Sequence, residues 1–313
     1  RALDLWHSAI NGRGRFFAVQ QGADLERAFR MILQQISTET EPDRGSTAAS
    51  GSSSLTGGGV DTFGVNYDPK KAWKGWITGQ TTTTLKQLDG TFKTTTSAIP
   101  GWSGKDTAQR LDDIPAASLD NRLILSWSDK NLFGVPFKWA TDESNLSTNQ
   151  KAFFNLKLDG TSDSNGQNRL KYVRGDRSLE GTDDPLNYTS PKIFRQRQSR
   201  QGDIVNSKIW YVSTPVINYP LKGYSDFTDS QKSRSPMFYV GGNDGMLHGF
   251  SAKDGNEKIA YVPRGVLPGL GRLSDPSFND NHKYFVDGSP MTGDIDVGTS
   301  TTPQWRTMLV GSL

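Results

Sequence analysis

Cysteine is absent from this 313-residue chain, which excludes a disulfide framework and any thiolate metal or redox site. Histidine is nearly absent. His7, His248 and His282 are scattered, and no His-Glu-x-x-His occurs, so the usual zinc ligand spacing is missing. The chain also lacks a P-loop, a dinucleotide fingerprint and a nucleophile elbow, so no motif supports an enzyme. No apolar run approaches the roughly 20 residues of a membrane-spanning helix. Nor does charge of one sign dominate: 36 Lys plus Arg face 33 Asp plus Glu, a net charge of +3. Nucleic acid as the main partner would need clustered cations. The nearest approach, Phe194-Arg195-Gln196-Arg197-Gln198-Ser199-Arg200, reads as a solvated face.

What the chain does contain is polar and turn-rich. Hydrophobic residues make up 34% and the mean hydropathy is −0.60, the composition of short buried strands between hydrated loops. It starts at Arg1 without an initiator Met or signal sequence and stops just after Met308-Leu309-Val310, so it reads as a piece of something longer.

Arg15–Val19 reads as a buried strand, followed by a helix opening near Asp24. Leu25, Ala28, Phe29, Ile32, Leu33 and Ile36 recur at helical spacing and form one apolar face. A lone strand and helix cannot bury that face, so residues 1–36 read as the end of an α/β domain. Residues 37–60 turn to Ser, Thr and Gly and read as a flexible linker. Beyond it the helical period fades. Short runs take over at Phe63–Tyr67, Trp73–Thr78, Arg122–Trp127, Leu170–Arg174, Ile209–Val212 and Phe238–Val240, and residues 61–313 read as an all-β domain.

The segment Met237–Val262 is the most informative. Met237-Phe238-Tyr239-Val240, Met246-Leu247-His248-Gly249-Phe250 and Glu257-Lys258-Ile259-Ala260-Tyr261-Val262 are three short strands joined by Asn243-Asp244-Gly245 and Asp254-Gly255, a β-meander. Gly245 and Gly255 supply the positive φ that such turns need. A similar pattern restarts at Tyr284-Phe285-Val286-Asp287-Gly288 and at Trp305–Gly311, as in successive blades of a β-propeller.

The run Tyr239–Phe250 resembles the signature of the PilY/PilC family of type IV pilus proteins. Other marks follow in the family's order: Asp4-Leu5-Trp6-His7, Asn11-Gly12-Arg13-Gly14, Gly134–Trp139, Tyr172–Asp176, Gly202–Ser207, Ala260–Pro263, Val286–Gly288 and Trp305–Thr307. One departure is Lys208-Ile209, where the family tends to a small residue and proline. The resemblance implies a von Willebrand A-like domain ending near Ile36, then the opening part of a modified propeller, mainly β. It also implies a non-enzymatic pilus assembly factor and tip adhesin at the cell surface. Such a factor counters retraction, supports twitching and works with pilin subunits, minor pilins and a host or abiotic surface ligand. A calcium site is implied as well, expected beyond Leu313. Asn243, Asp244, Gly245 and His248 are then structural signature residues, with His248 a hydrogen-bonded core side chain rather than a catalytic base.

Two further sets of residues are candidates on their own chemistry. Asp159, Asp163 and Asn165 form an oxygen-rich loop of the kind that can bind calcium, although the bidentate Glu of an EF-hand is missing and an ordinary Asp/Asn/Gly turn is the favoured reading. Arg174-Gly175-Asp176 spells an integrin-recognition tripeptide, which requires an exposed loop tip and competes with a charged structural turn. Two other functions stay open: a quinone-dependent dehydrogenase, which shares the strand-Asp-Gly-strand blade, and a carbohydrate- or protein-binding propeller unrelated to pili.

Overall fold

The computed structural model describes residues 45–49, 55–56, 59–181, 193–215 and 219–313. The chain divides into two units, Arg1–Asp43 and Arg44–Leu313, and every described residue belongs to the second. The expected end of an α/β domain over residues 1–36 lies outside the described residues.

The first sheet is built from β1 (Gly45–Ala49), β2 (Leu55–Thr56), β3 (Gly59–Asp68), β4 (Lys74–Lys86) and β5 (Phe92–Ala98). All its pairings are antiparallel, in the order β1-β3-β4-β5 with β2 also on β3. Residues 45–49, 55–56 and 59–60 therefore correct the linker reading. A Ser/Thr/Gly stretch has little apolar surface, but β3 supplies a ladder on which it can pair. Strand β3 turns Phe63 and Val65 inward by the period-2 rule, opposite Ile77 of β4. Past Gly79 the β4–β5 hairpin leaves the core and is faced by hydroxyl pairs, Thr84 with Thr94 at 3.0 Å.

The second sheet contains β6 (Ile124–Trp127), β7 (Gly134–Pro136), β8 (Trp210–Val212), β9 (Met237–Gly242), β10 (Met246–Ser251) and β11 (Glu257–Val262), ordered β7-β6-β11-β10-β9-β8. The run β8-β9-β10-β11 is antiparallel, as the meander predicts, and gains β8 on its outer side. Ile209 is buried just before β8, and Lys208 N donates to Ser289 Oγ at 3.0 Å, so the departure at Lys208-Ile209 leaves the strand intact. The pair β6/β11 is parallel, Ile124 opposite Ala260. Both turns use positive φ, +89° at Gly245 and +68° at Gly255.

This sheet is covered on both sides, which is why every residue of β10 is buried. One side meets the first sheet through Phe63, Ile77, Trp102, Phe238 and Phe250. The other meets helices: α2 (Thr148–Phe154), α3 (Gly166–Val173) and α5 (Leu267–Leu270) pack Phe154, Leu170, Tyr172 and Leu270 beside Met246, Ala260 and Val262. With α1 (Thr107–Asp112) and α4 (Tyr224–Ser230), these helices correct the all-β reading of residues 61–313 to mainly β with a helical layer. Leu170–Arg174 in particular is not a strand. Its apolar residues at 170 and 173 lie one turn apart and face the core from α3. The helices escaped a period search because they are short and begun by local caps, such as the Ser147/Gln150 capping box of α2.

Finally, β12 (Met291–Asp296) and β13 (Trp305–Val310) form a separate antiparallel pair, the restart expected near Trp305. Tyr284-Phe285-Val286 is a loop instead of the expected strand. Its backbone is held by side chains: Phe285 N donates to Asn243 Oδ1 at 3.0 Å.

Candidate functional site

Three of the signature segments converge at the β9–β10 turn. Asn243 stands in that turn and bonds in two directions. Its Nδ2 donates to Asp203 Oδ2 at 2.8 Å and its own N–H to Asp203 O at 2.9 Å, while its Oδ1 receives Phe285 N. A side-chain amide suits this place because it donates and accepts at once. Beside it, Ser207 Oγ accepts from Gly241 N at 2.8 Å and donates to Gly288 O at 3.0 Å, and Asp287 accepts from Asn206 N at 3.0 Å. Segments 202–207, 241–248 and 285–288 are thereby stitched together by side chains where no ladder joins them.

Asp203 has a second ligand in His282, whose Nε2 lies 3.0 Å from Oδ1. The imidazole stacks on Trp73 with ring centroids 3.7 Å apart. Trp73 and its neighbour Ala72 adopt the left-handed conformation at φ +56° and +53°, and the indole N–H is fixed to Asn279 O at 3.0 Å.

Behind the turn runs a buried row of charges. Gly202 N donates to Asp244 Oδ2 at 2.9 Å, and Asp244 Oδ1 faces His248 Nε2 at 3.0 Å. His248 Nδ1 lies 2.8 Å from Glu257 Oε1. Glu257 takes a two-pronged bond from Arg122, Nε to Oε2 at 2.8 Å and Nη2 to Oε1 at 2.9 Å. Arg122 continues to the carbonyl of Arg174. Because both ring nitrogens of His248 meet carboxylates, the ring is an imidazolium donating twice. Burial alone would push it down, but Asp244 and Glu257 outweigh burial and hold it up at about 9. Burial works against the Glu257 and Asp244 carboxylates too. Arg122 beside Glu257 and His248 beside Asp244 reverse that and hold both below the usual carboxylate range. Two cations and two anions cancel, which is the condition for keeping four charges inside a core.

The row has no free nucleophile and no room for a substrate. The adjoining cavity, lined by Gln201, Asn243 and Asp244 among others, holds about 10 Å³, the size of one water. Chemically the arrangement is a rigid latch.

The other predicted residues go elsewhere. Arg174 is 3% exposed, with its guanidinium donating to Phe137 O at 2.8 Å and its pKa lowered by burial and by Arg122. Gly175 is buried at φ +112°, and its carbonyl receives Arg200 Nε at 2.8 Å. Asp176 is half-buried. The tripeptide therefore ends a helix inside the protein, and the exposed tip needed for receptor binding is not its setting. The solvated-face reading of residues 194–200 is likewise corrected: Arg195 and Arg197 are buried, and Arg197 lies 3.7 Å over the Tyr172 ring.

In the oxygen-rich loop, Asp159 Oδ1 accepts from Thr161 N and Oγ1 at 2.9 and 2.6 Å. Both oxygens of Asp163 are taken by Arg169 at 2.6 Å, and Asn165 bonds back to Asp163. A guanidinium where a cation would sit does not fit calcium. Among the described residues no group of three or more His, Asp or Glu is placed to hold a metal ion. Arg122, Asp203, Glu257 and His282 are the site residues that motif reading missed. Of these only Asp203 lies within a signature segment, and nothing local marks it as a partner of Asn243.

A family model described as "PilY1 beta-propeller domain" matches residues 201–313. The type IV pilus biogenesis factor PilY1 of Pseudomonas aeruginosa strain PAK is 34% identical over 326 aligned positions, covering 99% of this chain and 25% of that protein. A PilY1 homolog of Xylella fastidiosa is 40% identical over 152 positions, covering 46% of the chain and 12% of that protein. The chain thus spans about a quarter of the length of the first of these relatives. No solved structure matches.

Proposed function

The chain belongs to the PilY1 family, and from that premise we propose that it is part of a type IV pilus biogenesis factor that also acts as a surface adhesin at the pilus tip. The observation that carries the reading is the latch. Three of the segments quoted for the family resemblance, at residues 202–207, 239–250 and 286–288, come together around Asn243 and Asp244. A domain stiffened in this way suits a protein that transmits load between a filament and a surface.

On this reading the protein promotes assembly by opposing retraction, works with pilin and minor pilin subunits outside the cell, and supports attachment and twitching. It catalyses no reaction. A calcium site, implied by the family resemblance, is part of this reading, and the oxygen-rich loop does not supply it because Arg169 takes both Asp163 oxygens. Support for a structural role comes from the buried charge row, which is neutral, fully bonded and bordered by a space for a single water. A quinone-dependent enzyme would need a cofactor cavity on the propeller axis, and no specific observation favours it.

The test is genetic. Deleting the parent gene should remove surface pili and twitching, and also deleting the retraction motor should restore pili. Normal piliation and adhesion in the single deletion would sink the proposal.

A further inference from the structure

A groove of about 460 Å³ separates the outer strand of the blade, β8, from β12 of the following hairpin. That volume lies within the roughly 300–1,000 Å³ span of small-molecule sites. Its wall is aromatic: Trp210, 38% exposed, and Tyr219, 40% exposed, present ring surface to solvent. Trp210 is fixed in place, since its indole N–H donates to Thr292 Oγ1 at 2.8 Å.

The floor is a polar chain. Tyr224 OH donates to Asp294 Oδ2 at 2.7 Å, and Thr307 Oγ1 donates to Asp294 Oδ1 at 2.6 Å. Arg234 Nη2 reaches Thr307 Oγ1 at 2.8 Å and Gln231 Oε1 at 2.8 Å, with Nη1 on Ser213 O at 3.3 Å. Each Asp294 oxygen receives one bond within this network and has a second lone pair to offer. None of these residues takes part in the latch.

We propose that this groove binds a neutral pyranose glycan, so that it supplies the ligand class of the adhesive function; the proposal rests on that function. A pyranose has an apolar C–H face and a rim of hydroxyls that both donate and accept. Flat rings that are apolar across the face and polar at the edge meet the first need. A carboxylate and hydroxyls held at fixed positions meet the second, because a network already bonded costs little ordering when the ligand arrives. The charge argues for a neutral ligand. One cation and one anion line the groove, and the guanidinium is already committed to Gln231, Thr307 and Ser213. An anionic ligand would meet Asp294 without a free cation to offset it.

The test uses the full-length protein on an array of neutral and acidic oligosaccharides, followed by calorimetric titration of whatever binds. Asp294→Asn keeps the shape and removes the charge, while Tyr219→Ala changes a ring exposed at the mouth. Each should weaken binding of a neutral glycan about tenfold or more, with the melting temperature and surface piliation unchanged. Absence of any neutral ligand, binding confined to acidic glycans, or affinity unaltered in both variants would overturn the proposal. If one variant melts early, the other decides. Loss of glycan binding with normal piliation leaves the biogenesis function standing, whereas normal piliation in the gene deletion removes that function whatever the array shows.

Discussion

His248 and Glu257 meet on adjacent strands with Nδ1 and Oε1 2.8 Å apart, and both side chains are shut away from solvent. This contact ties stability to pH in two directions. The imidazolium is held at about 9 against an ordinary value of 6.5, so its contribution is complete below 6.5 and is lost as pH rises through 9. Glu257 and Asp244 are depressed from 4.5 and 3.8, so theirs is complete above those values and is lost as pH falls through the lower folded values. The melting temperature should peak between about pH 5 and 6.5 and decline toward pH 9. Replacing His248 by Gln should flatten the alkaline side. A profile level from pH 6 to 10 would contradict the charge assignment.

Removing one member of the row should cost far more than removing a pair. Glu257→Ala leaves Arg122 and the imidazolium without their shared anion, and a loss of about 3–5 kcal/mol is expected. Combining it with Arg122→Met should recover part of that loss, because the uncompensated cation goes too. Chemical denaturation of the four proteins in a double-mutant cycle reads the coupling directly.

Gly245 is required for two independent reasons. Its φ is +89°, and a Cβ built there would lie 2.2 Å from Leu270 Cδ1. Gly245→Ala should therefore destabilise by about 3 kcal/mol or more, the sum of the roughly 1–3 kcal/mol strain of a left-handed non-glycine residue and the cost of displacing Leu270. Truncating Leu270 in the same protein should remove the clash but not the strain, which separates the two causes in a melting series.

Arg174 and Asp176 make opposite predictions although only Gly175 separates them. Arg174→Ala withdraws donors from Phe137 O and Leu119 O and should lower stability by a few kcal/mol. Asp176→Ala touches a half-buried carboxylate and should stay within about 1 kcal/mol of the parent. Neither change should act first on receptor binding. Cell attachment measured per folded molecule should be equal in both.

The meander was legible because Asp244-Gly245 and Asp254-Gly255 are local signals, each turn decided by its own residues. The latch was half legible. Asn243, Asp244 and His248 stand together in one run, whereas Arg122 lies 135 residues from its partner Glu257, and neither carries a local mark. Leu170–Arg174 misled because a short apolar and aromatic run fits one turn of helix as well as a strand. Tyr284–Val286 misled for the reverse reason: a run of aromatic and β-branched residues before Asp-Gly reads as a strand, but Asn243 satisfies its backbone from the side. The Ser/Thr/Gly stretch before β3 concealed strands because pairing there draws on a neighbouring ladder and not on its own apolar content.

The most direct measurement is the amount of pilin sheared from the surface of a gene-deletion strain complemented with full-length variants. The parent protein and Asp176→Ala should restore surface pili to equal levels. Gly245→Val, which breaks the latch at its turn, should not. Full piliation with Gly245→Val, or none lost in the uncomplemented deletion, would contradict the account.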